Sequence, residues 1–335
     1  MTSSWLIQID AYYEYDGNET CWEVNTVEQP LSFVGDSTSS APLELTNTSF
    51  REIFLDYANI IKPGITMSNM MTAFTGLWLA AQGRPAFGLT FVTLAGSGLV
   101  VMSGCAFNNY LDQDIDQFMA RTQDRPLPNS RIPAWSVLLL GTVLGIFGIS
   151  VLGILANTLS AVMALIGLFF YVVVYTGLTK RTTTLSTVIG GVSGAMPPLI
   201  GWTAVTGSLG ISGWLLFIFM FLWQPPHFLA LAMRRVKDYA AAGIPLLPVL
   251  YGFSLTKRQI VIWTATLIPA SLMLTIVHAE GWIYFFTALI FGGIWLIKGL
   301  KGFKAKDDIA WATDMFKFSL IYLMVLSIVM VINVK

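Results

Sequence analysis

Asn108, Asp112 and Asp116 stand four residues apart, so on a helix their side chains share one face, while Asp114 points elsewhere. Asp112 and Asp116, one turn apart with no Lys or Arg between them, repel each other unless a cation intervenes. Hard oxygen ligands favour Mg2+, which keeps several waters and commonly shares its shell with a substrate phosphate. Arg121 and Arg125 follow at the same spacing, and a guanidinium fork grips two phosphate oxygens at once. The run from Asn108 to Arg131 therefore reads as a magnesium–diphosphate site, with Asp112 and Asp116 as the metal ligands. An ordinary solvated loop would account for the charge but not for the shared face.

The elements that hold this stretch are apolar. Of 335 residues 55% are hydrophobic and 11% charged, and the mean hydropathy is +0.68, which excludes an ordinary soluble domain. Runs of about 20 apolar residues, each long enough to cross about 30 Å of hydrocarbon, recur along the chain. We expect nine spans, at 64–82, 88–107, 133–155, 158–178, 185–205, 211–232, 259–278, 282–297 and 313–333, giving an all-α, polytopic membrane protein. Residues 1–50, with eight acids and no Lys or Arg, read as a disordered acidic tail ahead of a domain covering 51–335. A short amphipathic approach fills 51–61. With the N-terminus inside and the C-terminus outside, every Lys and Arg except Arg84 and Lys335 falls on the inner side. That places all the long polar connections, 108–132, 233–258 and 298–312, on one face. The tail has neither a secretory signal nor a transit-peptide character, which points to a bacterial inner membrane. Cys21 and Cys105 form no framework.

Other polar residues cluster toward that face. Lys62-Pro63 opens the first span and Asn69 lies two turns in. Tyr171 and Tyr175 share a helical face that ends at Lys180-Arg181, cations that serve either as positive-inside anchors or as phosphate ligands. The sixth span ends in WQPPHF, where Pro225-Pro226 is expected to disrupt the helix beside Gln224 and His227. His278, on the opposite side, reads as structural. The segment Arg234–Arg258 is too polar to span and too apolar at 244–250 to be solvated. It reads as a lid, with Asp238 and Tyr239 at its start, over a reaction that must be shielded from water.

A diphosphate clamp above a bundle lined with Phe, Trp and Met suits a substrate with a charged head and a long apolar tail. Here the chain resembles the UbiA superfamily of intramembrane prenyltransferases, and within it the heme-farnesylating branch. The superfamily pattern N-x-x-x-D-x-x-x-D stands as Asn108, Asp112 and Asp116. The longer run NNYLDQDIDQFMARTQDRPL, KPGI at 62–65, YTGLTKR at 175–181, GAMPPLIGWTAVTG at 194–207, WQPPHFLALA at 223–232 and DYAAAGIPLLPV at 238–249 extend the match over 51–335.

The resemblance implies a nine-helix UbiA-type bundle with its polar site and lid loops on the cytoplasmic face. It also implies transfer of a farnesyl group from farnesyl diphosphate to a vinyl group of heme b, giving heme O for terminal oxidases. On that view Asp112 and Asp116 hold Mg2+, with Asn108 in support, and His227 and Asp238 join the catalytic set. Lys62, Asn69, Arg121, Arg125, Tyr175, Lys180, Arg181, Gln224 and Tyr239 bind substrate, with His227 facing the porphyrin. Many superfamily members carry a second Asp-rich motif near the sixth span. This chain has Gln224 and His227 there and only Asp238, and position 109 is Asn where some relatives have Asp.

The implied partners are the two substrates, the bilayer, and a heme A synthase or oxidase-assembly protein, with no nucleic acid. Three rival readings make distinct predictions. A UbiA-type enzyme with a quinone-precursor or other aromatic acceptor would form no heme O. A transporter would place its charges near the midplane, often within internal repeats. A non-catalytic assembly factor would tolerate Asp112→Ala.

Overall fold

The computed structural model describes residues 49–334. The expected acidic tail and Cys21 lie outside the described residues, apart from Ser49 and Phe50, where the first helix begins.

Helix α1 (Phe50–Ile60) is the short amphipathic approach. The Ser49 backbone N–H donates to the Glu52 carboxylate at its N-terminus, 3.0 Å away, and Ile60 is buried while Phe54 stays exposed. Then come α2 (Pro63–Ala80), α3 (Phe87–Asp116), α4 (Ala134–Leu155) and α5 (Thr158–Phe169), which continues as a π-helical segment, Phe170–Thr179. α6 (Ser186–Gly194) and α7 (Met196–Thr206) form one rod interrupted at Ala195. Next are α8 (Gly210–Arg234), the short α9 (Val236–Ala241) and α10 (Leu247–Leu250), then α11 (Gly252–Ile276), α12 (Trp282–Lys301) and α13 (Asp308–Ile332).

Eight helical rods among the described residues are long and apolar enough to cross a membrane. They correspond to the second through ninth expected spans. The first, α2, is helical over 18 residues, but Thr66, Ser68, Asn69, Thr72 and Thr75 make it less apolar than the rest. Large side chains such as Phe147, Ile154, Phe286, Ile290 and Ile328 project outward and exposed, a surface that suits lipid rather than water.

Two features set the packing. One core cluster joins α8, α11, α12 and α13 around Trp223, Tyr284, Trp295 and Tyr322; another joins α3, α4, α5 and α7 around Val100, Leu152, Met163 and Leu199. α2 and α7 touch backbone to backbone. A Cβ added at Gly76 would sit 2.0 Å from the Pro198 carbonyl oxygen, and one at Gly201 would sit 1.9 Å from that of Ala73. Small residues permit such an approach where helices gain from close van der Waals contact.

The expected disruption at Pro225-Pro226 does not occur: both prolines lie inside a continuous α8. Proline's fixed φ is compatible with a helix, and what is lost is the pair of hydrogen bonds to the carbonyls one turn back. Packing by α6, α11 and α13 holds α8 together across that gap. The interruption falls instead at Ala195, where Pro197 and Pro198 sit in the first turn of α7 and their missing N–H groups are tolerated.

Candidate active site

α3 does not stop at 107 but runs on to Asp116, so Asn108, Asp112 and Asp116 all sit on its last turns, and all three are buried. Buried carboxylates need partners, and here the partners come from elsewhere in the chain. Lys180 Nζ donates to Asp112 Oδ2 at 2.6 Å, and Asn108 Nδ2 donates to the same oxygen at 2.6 Å. Arg125 Nη1 lies 2.5 Å from Asp116 Oδ2. Lys62 Nζ donates to Asn108 Oδ1 at 2.8 Å. Lys62 itself, just before Pro63, has φ +48°, a left-handed backbone conformation that residues with side chains seldom adopt. Backbone strain of this kind is characteristic of functional positions. Burial, and next the charge of Arg125, pull the Lys62 ammonium down to about 8, with nearby acidic groups opposing.

The π-helical segment makes this register possible. Its wider turn carries Thr176, whose hydroxyl donates to the Tyr171 carbonyl at 2.8 Å, to within 3.4 Å of Asn108 Nδ2, and delivers Lys180 to Asp112. Arg181 turns the other way. It grips Asp114 with its two terminal guanidinium nitrogens, at 2.6 and 2.7 Å, and donates to the Leu111 carbonyl at 2.7 Å. The odd carboxylate of the series thus anchors the odd cation.

A cavity of about 790 Å3 opens against this cluster. Lys180, Asn69, Tyr171 and Tyr175 line it, with the two tyrosine rings stacked at 5.9 Å. Gln224 and His227 line it from α8, and Tyr239, Ile244 and Leu246 from the α8–α11 connection. Ile244 and Leu246 are buried against Ile115 and Met119, so this connection packs across the end of α3. Burial raises the Tyr239 phenol above its ordinary range. The rest of the wall is mainly apolar, from Met70 and Val100 to Ile200 and Leu323, with the hydroxyl residues Ser68, Thr72, Ser97, Thr187 and Ser193 among it.

Several expected site residues stand apart from that wall. Asn108, Asp112, Asp116, Lys62 and Arg125 lie behind it, and Lys180 is the link between the carboxylates and the cavity. Arg121 is exposed and makes no ion pair or side-chain hydrogen bond among the described residues. Asp238 does not line the cavity; its nearest cation is Arg235, at 3.8 Å.

The donor set fits a divalent cation. Asp112 Oδ1 is buried without a hydrogen-bond partner among the described residues; Arg181 approaches it only to 3.9 Å, and Lys180 is engaged by the other oxygen. No three His, Cys, Asp or Glu side chains converge on a metal position among the described residues. A cation here would therefore complete its shell from water and phosphate, as Mg2+ commonly does.

The model of the UbiA prenyltransferase family matches residues 69–321. The chain belongs to that family. Among UbiA relatives, the protoheme IX farnesyltransferase of Alkalihalophilus pseudofirmus is 48% identical, covering 92% of this chain and 98% of that one. That of Exiguobacterium sibiricum is 49% identical, covering 80% and 89%. Solved structures share the UbiA fold at low identity. A digeranylgeranylglyceryl phosphate synthase superposes with a TM-score of 0.71 at 17% identity, over 84% of this chain and 98% of that one. A UbiA homolog from Archaeoglobus fulgidus bound to GPP and Mg2+ gives 0.61 at 11%, over 82% and 99%. The chain is accordingly a multi-pass, all-helical membrane protein of the UbiA family.

Three groups at the site carry no signal in the sequence. The π-helical register of 170–179 depends on tertiary packing, since the residues there suit an ordinary helix equally well. Thr176 lies within YTGLTKR and Ser319 within the ninth span with nothing local to single either out, and only the fold brings them to Asn108 and His227.

Proposed function

We propose that this chain transfers the farnesyl group of farnesyl diphosphate to a vinyl carbon of heme b. Diphosphate leaves, and a water supplies the hydroxyl of the resulting hydroxyethylfarnesyl substituent, giving heme O. The observation that carries this reading is one cavity with a buried carboxylate–lysine cluster at its polar end, an apolar body, and an imidazole on its wall. The two relatives named protoheme IX farnesyltransferase support the choice of donor and acceptor.

Asp112 and Asp116, with Asn108 in support, would hold Mg2+; the UbiA homolog bound to GPP and Mg2+ supports the use of that ion in the family. When bound, the ion supplies charge stabilisation to the departing diphosphate. Lys180 and Arg125, which pair with the carboxylates in this structure, and Lys62, which donates to Asn108, are placed to pass their charge to diphosphate oxygens. Arg121, free of partners among the described residues, closes on the outer phosphate. The stacked faces of Tyr171 and Tyr175 border the cavity where the C–O bond breaks and favour the allylic cation. The apolar walls exclude water until the cation has met the vinyl group. Ile244 and Leu246 act as a lid, with Tyr239 at its edge. Gln224 and His227 face the porphyrin.

We place the polar site on the cytoplasmic face of a bacterial inner membrane, in a catalytic domain spanning 51–335. The N-terminus is inside, α2 is the first of nine crossings, and the C-terminus is outside. Incubating the purified protein with heme b, farnesyl diphosphate and Mg2+, with and without chelator, tests the function by mass analysis of the porphyrin. Heme O that disappears with chelator is the expected result. An unchanged porphyrin, with a quinone precursor prenylated in a parallel incubation, would reassign the acceptor.

A further inference from the structure

We infer that Ser319 is a positioning residue: it fixes His227 in the tautomer whose Nε2 lone pair faces the cavity, where it ligates the heme iron of the acceptor. The inference rests on the heme reading above and adds to it a residue on a different helix.

Three rings first fix the plane of the imidazole. Trp223 and Phe316 stack on it at 4.5 and 4.7 Å, and Phe228 meets it edge-on at 5.0 Å. Ser319 then decides which nitrogen is protonated. Its Oγ lies 2.6 Å from His227 Nδ1 and also 2.6 Å from the Phe316 carbonyl oxygen. A carbonyl only accepts, so the single hydroxyl hydrogen of Ser319 is committed to Phe316. Toward His227 the hydroxyl has only a lone pair to offer, so Nδ1 carries the proton and Nε2 does not. The backbone reinforces the arrangement: the Trp223 indole N–H donates to the Ser319 carbonyl at 3.0 Å, tying the same turn of α13 to α8.

A buried histidine with a purely structural role commonly has its ring nitrogens satisfied by protein or ordered water. His227 makes one side-chain hydrogen bond among the described residues, through Nδ1, and lines the cavity with what remains. An unprotonated Nε2 directed into an apolar chamber is the arrangement of a metal-ligating imidazole, in which the second nitrogen's hydrogen bond sets tautomer, ring orientation and ligand basicity. Iron is the metal that a heme acceptor brings to this wall.

The chain contains two histidines, His227 and His278, so histidine labelling is unusually clean. In a His278→Asn background, full-length protein labelled with 15N-histidine should give one protonated Nδ1 and one unprotonated Nε2. Ser319→Ala should give a tautomer mixture and Ser319→Thr should restore the single form. Ferrous heme b added to the same proteins should give an iron–histidine stretch that is absent in His227→Ala and shifted down in Ser319→Ala, with heme affinity about 10-fold weaker in the latter. A Ser319→Ala protein with unchanged melting temperature, tautomer and iron–histidine band overturns the role of Ser319 and leaves the function standing. Wild-type protein that binds no heme b overturns the acceptor reading itself, and iron ligation with it.

Discussion

Lys180 Nζ sits 2.6 Å from Asp112 Oδ2, and that contact joins the carboxylate face of α3 to the cavity. Each charge compensates the other in the substrate-free protein, and a magnesium diphosphate brings the opposite charges needed to separate them. Asp112→Asn keeps the shape and the Asn108 contact but removes the metal's ligand. Farnesyl transfer to heme b should fall by about 100-fold or more, with the melting temperature within a few degrees of wild type. Rates measured by chromatography of the porphyrin products check this, and near-normal turnover would remove Asp112 from the mechanism.

Lys62 gives the reaction a pH dependence. Its folded pKa, about 8, is below the ordinary lysine value, so the free enzyme loses this positive charge as pH rises through 8. Since kcat/KM reports ionisations of the free enzyme, kcat/KM for farnesyl diphosphate should decline above about pH 8. Lys62→Arg, whose guanidinium stays charged, should flatten that limb. A wild-type profile that is level to pH 10 would show that the Lys62 charge is not used.

The period-four spacing of Asn108, Asp112 and Asp116 made the acidic face legible in the sequence, because helical geometry alone brings those side chains together. Its neutralisation by Lys180 was not legible in the same way. Sixty-eight residues separate Lys180 from Asp112, and their meeting depends on a π-helical turn that packing, not local propensity, selects. Pro225-Pro226 misled for a related reason. Local chemistry argues for a break, yet three neighbouring helices hold α8 continuous. The charge asymmetry marked one face as the site of chemistry, but Arg181 spends its guanidinium on Asp114 and Asp238 stays off the cavity wall, details that composition does not reach.

Gly76 and Gly201 test the α2–α7 contact that forms one side of the bundle. A methyl group at either position has no space, since backbone atoms stand within 2.0 Å of where it would lie. Gly76→Ala or Gly201→Ala should destabilise by about 1–3 kcal/mol, read as a lower melting temperature in detergent. Gly88→Ala, where a Cβ meets nothing within 4 Å, is the matched control and should leave the melting temperature unchanged or slightly raised. Equal melting temperatures for all three variants would mean that the two helices do not pack this closely.

Glu280, in the turn between α11 and α12, is fully buried with neither carboxylate oxygen hydrogen-bonded among the described residues. Its backbone bridges to Val334, and the adjacent Gly281 N–H donates to the Asn333 carbonyl at 3.1 Å, so the turn clasps the end of α13. Burial pushes its carboxyl up to about 8 from an ordinary value of 4.5. The folded protein therefore holds a proton that the unfolded chain gives up between those limits. By linkage, stability is highest below about pH 4.5 with respect to this group, falls as pH rises toward 8, and is level above it. Glu280→Gln supplies a neutral isostere that never ionises. Its melting temperature should exceed that of wild type at pH 8.5 and match it at pH 5, and the gap should widen steadily across the interval. Parallel wild-type and Glu280→Gln melting curves across that range would mean that the Glu280 carboxyl ionises in the folded protein without cost.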